Sequence, residues 1–325
     1  MPEITLVEAV TQALAYELEH DDDVVVFGED VGKNGGVFRA TAGLQDRFGE
    51  RRVFDSPLAE SMIAGLAVGM STQGLKPVAE FQFMGFIYPA MNQIISHAAR
   101  IRNRTRGRLH CPLVFRAPFG GGIRAPEHHS ESTEALFAHI PGLQVVIPSS
   151  PKRAYGLLLA AIRNPDPVIF LEPKRIYRLV KQPVLDDGIA LPLGRCFTLQ
   201  EGHDLTLISW GASLHETIQA TKQLESEANL SIEVIDVASI KPLDIDTILN
   251  SVEKTGRCVI VHEGAKTSGF GAEIMAQIME NAFDLLQAPV QRVTGYDTVM
   301  PYFQLEKFYI PSVLRIKQTI LSIME

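Results

Sequence analysis

Apolar positions in this chain gather in short, nearly unbroken runs. VVVFG at 24–28, PVAEFQF at 77–83, LVFRAP at 113–118, QVVIP at 144–148 and VIFLE at 168–172 are rich in β-branched and aromatic residues, with stretches of helical spacing between them. Strands apolar on both faces belong in a sheet covered on both sides. The intervening helices supply that cover, so the pattern predicts βαβ units around a parallel sheet. Between Leu179 and Asp204 the periodicity fades and Pro, Gly and Asp collect, which marks a linker. A second set follows: DLTLISWG at 204–211, LSIEVIDV at 230–237, CVIVHEG at 258–264 and VQRVTG at 290–295. The expected division is a parallel-sheet α/β domain over 1–185, a linker over 186–203 and a smaller α/β domain over 204–325.

With 325 residues, 46% of them hydrophobic and 21% charged, the chain can bury a core in each domain. A formal net charge of −8 argues against nucleic acid or an anionic membrane as partner, since both require a positive field. The start, MPEITLVEAVTQALAYELEHDDD, has early acids and no basic segment ahead of an apolar run, so no secretory or transit peptide is expected. The uncharged run from Ser61 to Leu75 is too short to span a bilayer, which needs about 20 residues. Cys111, Cys196 and Cys258 are odd in number and far apart, as expected for reduced, buried thiols in a cytoplasmic protein.

Residues 120–132, GGGIRAPEHHSES, hold the first candidate chemistry. Gly120 to Ala125 formally satisfies G-x-G-x-x-A, but Pro126 and a polar segment stand where a dinucleotide-binding helix should open, and no acid ends the next strand. His128 and His129 are adjacent and lack an H-E-x-x-H companion, so one metal ion is a poor fit. The glycines let backbone approach a ligand closely, and an imidazole there suits proton transfer or anion binding near neutral pH.

FDSPLAE at 54–60 leads into the uncharged run. Pro57 fits the first turn of a helix with Ser56 as its cap; a capping-box acid would then fall at position 59, which is Ala59. Glu60 is left as a carboxylate at the head of a buried helix, where desolvation should raise its pKa against the pull of the helix dipole. Gly65 and Gly69 permit close packing, including across a subunit interface. The aromatics of EFQFMGFIY, 80–88, end a strand and suit a flat apolar slot. Five arginines between Arg100 and Arg108 complement a helix C-terminus or dock an acidic partner.

Taken together, GEDVGKNGGVF at 28–38, FDSPLAE, PVAEFQF, the glycine loop through PGLQVVIPSSP at 141–151, DPVIFLEPKRIYR at 166–178, SIKPLD at 239–244 and RVTGYDTVMPY at 292–302 resemble one family across essentially the whole chain. It is the beta chain of the thiamine-diphosphate-dependent decarboxylating component of 2-oxo acid dehydrogenase complexes. The resemblance implies a pyrimidine-binding domain followed by a transketolase C-terminal-type domain. It implies an oxidoreductase that decarboxylates a small 2-oxo acid and acylates lipoyl groups on an acyltransferase core. The substrate is pyruvate, a branched-chain 2-oxo acid or acetoin, with pyruvate favoured. No Gly-Asp-Gly diphosphate motif occurs in these residues. The resemblance therefore implies a separate alpha chain holding magnesium and the diphosphate, in an alpha2-beta2 heterotetramer with the cofactor between chains.

By the same resemblance Glu60 hydrogen-bonds N1′ of the aminopyrimidine, Gln82 and Phe86 line its pocket, and His129 assists substrate binding or lipoyl acylation. Some members also hold potassium, at positions matching Leu113, Ala161, Ile162, Asn164 and Asp166; Asn164 stands where an aspartate is common. A non-catalytic scaffold docking through the arginines and a self-sufficient transketolase-like enzyme are the rival readings.

Overall fold

The computed structural model describes residues 3–325. They divide into two compact units, one running up to Phe119 and resuming over Leu136–Leu193, the other made of Gly120–Ala135 and Gly194–Glu325. The segment 120–135, expected inside the first domain, thus clusters with the second unit.

In the first unit β1 (Glu3–Thr5) pairs antiparallel with β8 (Lys181–Pro183). Between them run α1 (Leu6–His20), β2 (Val24–Gly28), α2 (Leu44–Phe48), β3 (Val53–Asp55), α3 (Glu60–Thr72), β4 (Lys76–Glu80), α4 (Met91–Ser96), α5 (Ile101–Arg104), β5 (Val114–Phe119), α6 (Glu134–Ala138), β6 (Gln144–Val146), α7 (Pro151–Arg163) and β7 (Val168–Pro173). Helix α6 begins in the second unit's segment. The strands lie in the order β6-β7-β5-β4-β2-β3, all parallel. Every residue of β2, β5 and β7 is buried, as two-sided cover demands. Each fully buried Val, Ile or Phe contributes about 1.5–3 kcal/mol relative to exposure. Helix α1 starts at a complete capping box between Thr5 and Glu8, and α7 starts from Ser150 with Pro151 in its first turn; the two helices pack together.

Arg116 on β5 is 1% exposed and grips Glu172 through Nε and Nη2 at 2.7 and 2.9 Å. Its Nη1 donates to Glu80 on β4, and the Tyr177 hydroxyl donates to Glu172 at 2.5 Å. Burial pushes Glu80 above the usual carboxylate range, with Arg116 opposing and the Glu172 charge adding to the rise.

The second unit holds β9 (Phe197–Gln200), β10 (Leu205–Ser209), α8 (Ser213–Ala228), β11 (Ile232–Asp236), β12 (Ser239–Lys241), α9 (Ile245–Thr255), β13 (Cys258–Val261), α10 (Phe270–Ala282), β14 (Gln291–Val293), α11 (Phe303–Tyr309) and α12 (Val313–Met324). Its sheet runs β14-β13-β10-β11-β9, parallel except for β9. Strand β9 lies in the stretch read as linker. Its spacing is too short to stand out beside the surrounding Pro and Gly, and it is recruited as an antiparallel edge along β11. Leu207, Val234, Val259, Ile316 and Ile320 form the heart of this unit's core. No helix among the described residues is long and apolar enough to cross a membrane.

Candidate active site

Strands β2 and β4 are neighbours, yet the chain leaves β2 toward β3 on one side and β4 toward β5 on the other. That reversal opens a crevice at their carboxyl ends, where open α/β sheets bind ligands. Gly28, the last residue of β2, allows the approach: a Cβ there would lie 2.5 Å from the Glu80 carbonyl oxygen.

Glu29 and Asp30 follow β2, Gln82 follows β4, and Glu60 opens α3. Gln82 Nε2 donates to Asp30 Oδ2 at 3.3 Å. Phe83 and Phe86 meet edge to face at 5.3 Å, and the half-buried Phe86 leaves part of its ring open. Partial burial raises the Glu29 carboxyl, and the charges of Asp30 and Glu60 raise it further. The structure therefore brings Glu60, Gln82 and Phe86 to one end of one sheet. Glu29 and Asp30 were not singled out in the sequence, although a GED directly after a buried strand is the signal that places them there.

Two local expectations change. Helix α3 begins at Glu60, not at Pro57; Ala59 is its N-cap and no side chain caps it, while Ser56 Oγ turns to the Pro57 carbonyl at 3.2 Å. The helix is also not buried all round. Ile63, Ala64, Ala67 and Ser71 face the core, whereas Ser61, Met62 and Gly69 are exposed and Glu60 is half-exposed. The run of uncharged residues that suggested burial is a face of small and apolar groups left open in the single chain. An uncapped helix end with a half-open carboxylate, beside an aromatic pair, fits an aminopyrimidine: one acid for a ring nitrogen and one ring for a flat face.

His129 lies in the other unit, on a 3₁₀ turn over Glu127–His129. It is half-buried and His128 is exposed. The preceding glycines are packed against carboxylates: the Gly121 N–H donates to Glu263 at 2.5 Å, and the Gly122 N–H to Glu306 at 2.7 Å. The Arg124 N–H reaches both oxygens of Glu306, at 3.3 and 3.2 Å. Beyond the histidines, Ser132 Oγ donates to the same oxygen of Glu263 at 2.8 Å.

Glu134 is 1% exposed, and burial pushes its carboxyl up to about 7, the Trp210 Nε1–H at 3.3 Å pulling the other way and Glu263 adding to the rise. The Trp210 ring stacks on His262 at 4.9 Å, which burial lowers to about 3. A carboxyl raised from 4.5 to about 7 binds its proton more tightly folded than unfolded, so stability falls as pH rises through that window. The expected loss between pH 4.5 and 7 is up to about 3 kcal/mol from this residue. Glu134→Gln should flatten that limb of a melting-temperature profile, and an unchanged slope would place the proton elsewhere.

The positions matched to potassium already carry hydrogen bonds within the chain. Asp166 Oδ1 binds Arg102 Nε at 2.5 Å, a cation already in place. Asn164 Oδ1 accepts from Gln144 at 3.0 Å and from the Asp166 N–H at 2.9 Å. The Leu113 carbonyl accepts from the Val168 N–H at 3.0 Å and that of Ala161 from the Asn164 N–H at 3.3 Å; Ile162 is buried in α7. Elsewhere in the arginine run, Arg104 reaches the Ser96 carbonyl at 2.8 Å and Arg108 that of Thr105 at 3.1 Å, the role expected of cations at a helix end.

Residues 2–180 match the family model "Transketolase, pyrimidine binding domain", and residues 194–316 match "Transketolase, C-terminal domain". The chain is 52% identical to the pyruvate dehydrogenase E1 component subunit beta of Acholeplasma laidlawii, over 95% of this chain and 94% of that one. To the subunit of the same name from Bacillus subtilis it is 48% identical over the full length of both. The staphylococcal counterpart from Staphylococcus epidermidis is 46% identical over 96% of each. In fold it is similar to a split-gene transketolase solved as an inactive beta4 tetramer, with a TM-score of 0.82 at 24% identity, covering 99% of both chains. A transketolase pyrimidine-binding domain followed by a transketolase C-terminal domain, aligned end to end with these subunits, makes the chain a member of the E1-component beta-subunit family of 2-oxo acid dehydrogenases.

Proposed function

We propose that the chain is the beta subunit of a pyruvate dehydrogenase. With an alpha subunit, in an alpha2-beta2 heterotetramer, it decarboxylates pyruvate oxidatively and acylates lipoyl groups on an acyltransferase core. Kinship over the full length with E1 beta subunits carries the reading, and the carboxylate and aromatic groups at the β2/β4 crevice support it. Thiamine diphosphate, when bound, would supply a nucleophilic carbon for the 2-oxo carbonyl and a thiazolium ring able to take up the electron pair left as carbon dioxide departs. Magnesium and the diphosphate fall to the alpha chain, since these residues contain no Gly-Asp-Gly motif.

Glu60, at the head of α3, holds a proton at a ring nitrogen of the aminopyrimidine. Glu29, its carboxyl raised by partial burial and by the Asp30 and Glu60 charges, lies beside it. Phe86 flanks the ring, and Gln82, tethered to Asp30, presents an amide to its edge. His129 offers an imidazole N–H at the substrate end, to bind the 2-oxo acid or assist transfer to lipoyl. The test is decarboxylation by the co-expressed alpha and beta chains with pyruvate and 3-methyl-2-oxobutanoate in competition. A kcat/KM at least about tenfold higher for pyruvate is expected, the discrimination that a pocket achieves for one or two methyl groups. The reverse preference would make it a branched-chain enzyme, and no turnover of either by a cofactor-loaded heterotetramer would point to acetoin cleavage or a scaffold.

A further inference from the structure

Glu263 follows β13 and Glu306 sits in α11, both far beyond the His129 loop in the chain, and both are 5% exposed. Buried carboxylates require compensation, and here it comes from the loop. Glu263 takes the Gly121 N–H and the Ser132 hydroxyl; Glu306 takes the Gly122 and Arg124 N–H groups. Hydrogen bonds to a charged acceptor are the strong class, and these grip the loop on both sides of His129.

The glycines are what allow this grip. A Cβ on Gly120 would lie 2.9 Å from Glu263 Oε1, and one on Gly121 would lie 2.4 Å from the Met300 methyl. Gly120 and Gly122 have φ of +81° and +86°, and Arg124 joins them at +62°, turning successive N–H groups toward the carboxylates. The sequence suggested glycines that clear space for a ligand; in the structure the cleared space is filled by Glu263, Met300 and Glu306.

We propose that Glu263 and Glu306 are positioning residues for the reaction, fixing the 120–135 loop and through it His129. The proposal rests on the role given to His129 above. In the assembled alpha-beta enzyme, Glu306→Gln keeps the side-chain shape but sets an amide N–H against a loop N–H donor, because both Glu306 oxygens accept from the loop, whereas Glu263→Leu removes the one oxygen that takes both the Gly121 N–H and the Ser132 hydroxyl. Amide hydrogen exchange over residues 121–124 should quicken by at least about tenfold in Glu306→Gln, with the rest of unit 2 unchanged. Catalysis should fall by at least about tenfold in kcat/KM for the 2-oxo acid or the lipoyl acceptor, with the apparent affinity for thiamine diphosphate unaltered. On a His129→Ala background the same substitution should then cost little further, because residues acting as one unit are not additive. Gly121→Ala, which displaces Met300 from the loop side, should give the same signature and serves if Glu263→Leu does not fold. Unchanged exchange at 121–124, or full additivity with His129→Ala, overturns the proposal. A wild-type enzyme that turns over no 2-oxo acid while the exchange contrast persists would instead sink the functional reading and leave the clamp without its catalytic purpose.

Discussion

Replacing Glu60 with glutamine should lower the decarboxylation rate of the assembled, cofactor-saturated enzyme by about 100-fold or more, the scale of a lost general acid or base. Glutamine matches glutamate in size and can still accept a hydrogen bond, but it cannot pass a proton to and from a ring nitrogen. Glu60 is half-exposed and opens α3 without serving as its cap, so the fold should tolerate the change. The melting temperature should move little, a surface substitution costing within about 0.5 kcal/mol. Single-turnover carbon dioxide release, beside a circular dichroism melt, separates the outcomes. Activity within a factor of two of wild type would favour a scaffold that leaves proton transfer to another chain.

Arg116→Met should be as damaging to the fold as Glu60→Gln is to the chemistry. It leaves Glu80 and Glu172, 3% and 0% exposed, facing each other without their shared cation. Breaking a buried ion pair from one side costs about 3–5 kcal/mol, against a total stability of about 5–15 kcal/mol for a typical protein. Most of the variant should be recovered insoluble, and any soluble fraction should melt well below wild type. The deficit should deepen as pH rises above the carboxylate range. With Arg116 gone, Glu80, which burial already raises, binds its proton more tightly folded than unfolded, so the stability it allows is present at acid pH and lost on the way to neutral. Adding Glu80→Gln should restore part of it. A soluble Arg116→Met protein melting within about 2 °C of wild type would show that the cluster is dispensable.

The central parallel strands were legible because strands buried on both faces leave an unmistakable mark: VVVFG at 24–28 is β2 to the residue, whereas the short β3 and β12 and the edge strand β9 left none. Glu60 was legible by elimination, as the last charge before an uncharged run and without a capping duty to explain it. What could not be read was anything set by pairing across distance. The start of α3 slipped because Pro57 and Ser56 form a plausible local cap, while the helix begins where its packing begins. The segment 120–135 was assigned by chain continuity, but its hydrogen bonds run to Glu263 and Glu306, and no local pattern announces a partner that far along the chain. Likewise the Arg102 cation that meets Asp166 comes from outside the positions that the resemblance singled out there.

The filled glycine loop also bears on how the chain can vary. By composition GGGIRAP reads as a spacer, the kind of segment that drifts freely, yet a side chain at Gly120 or Gly121 would displace a buried carboxylate or methionine. Freedom to mutate follows the packing partner rather than the residue's own bulk. These two glycines therefore belong with the interior valines in what they tolerate.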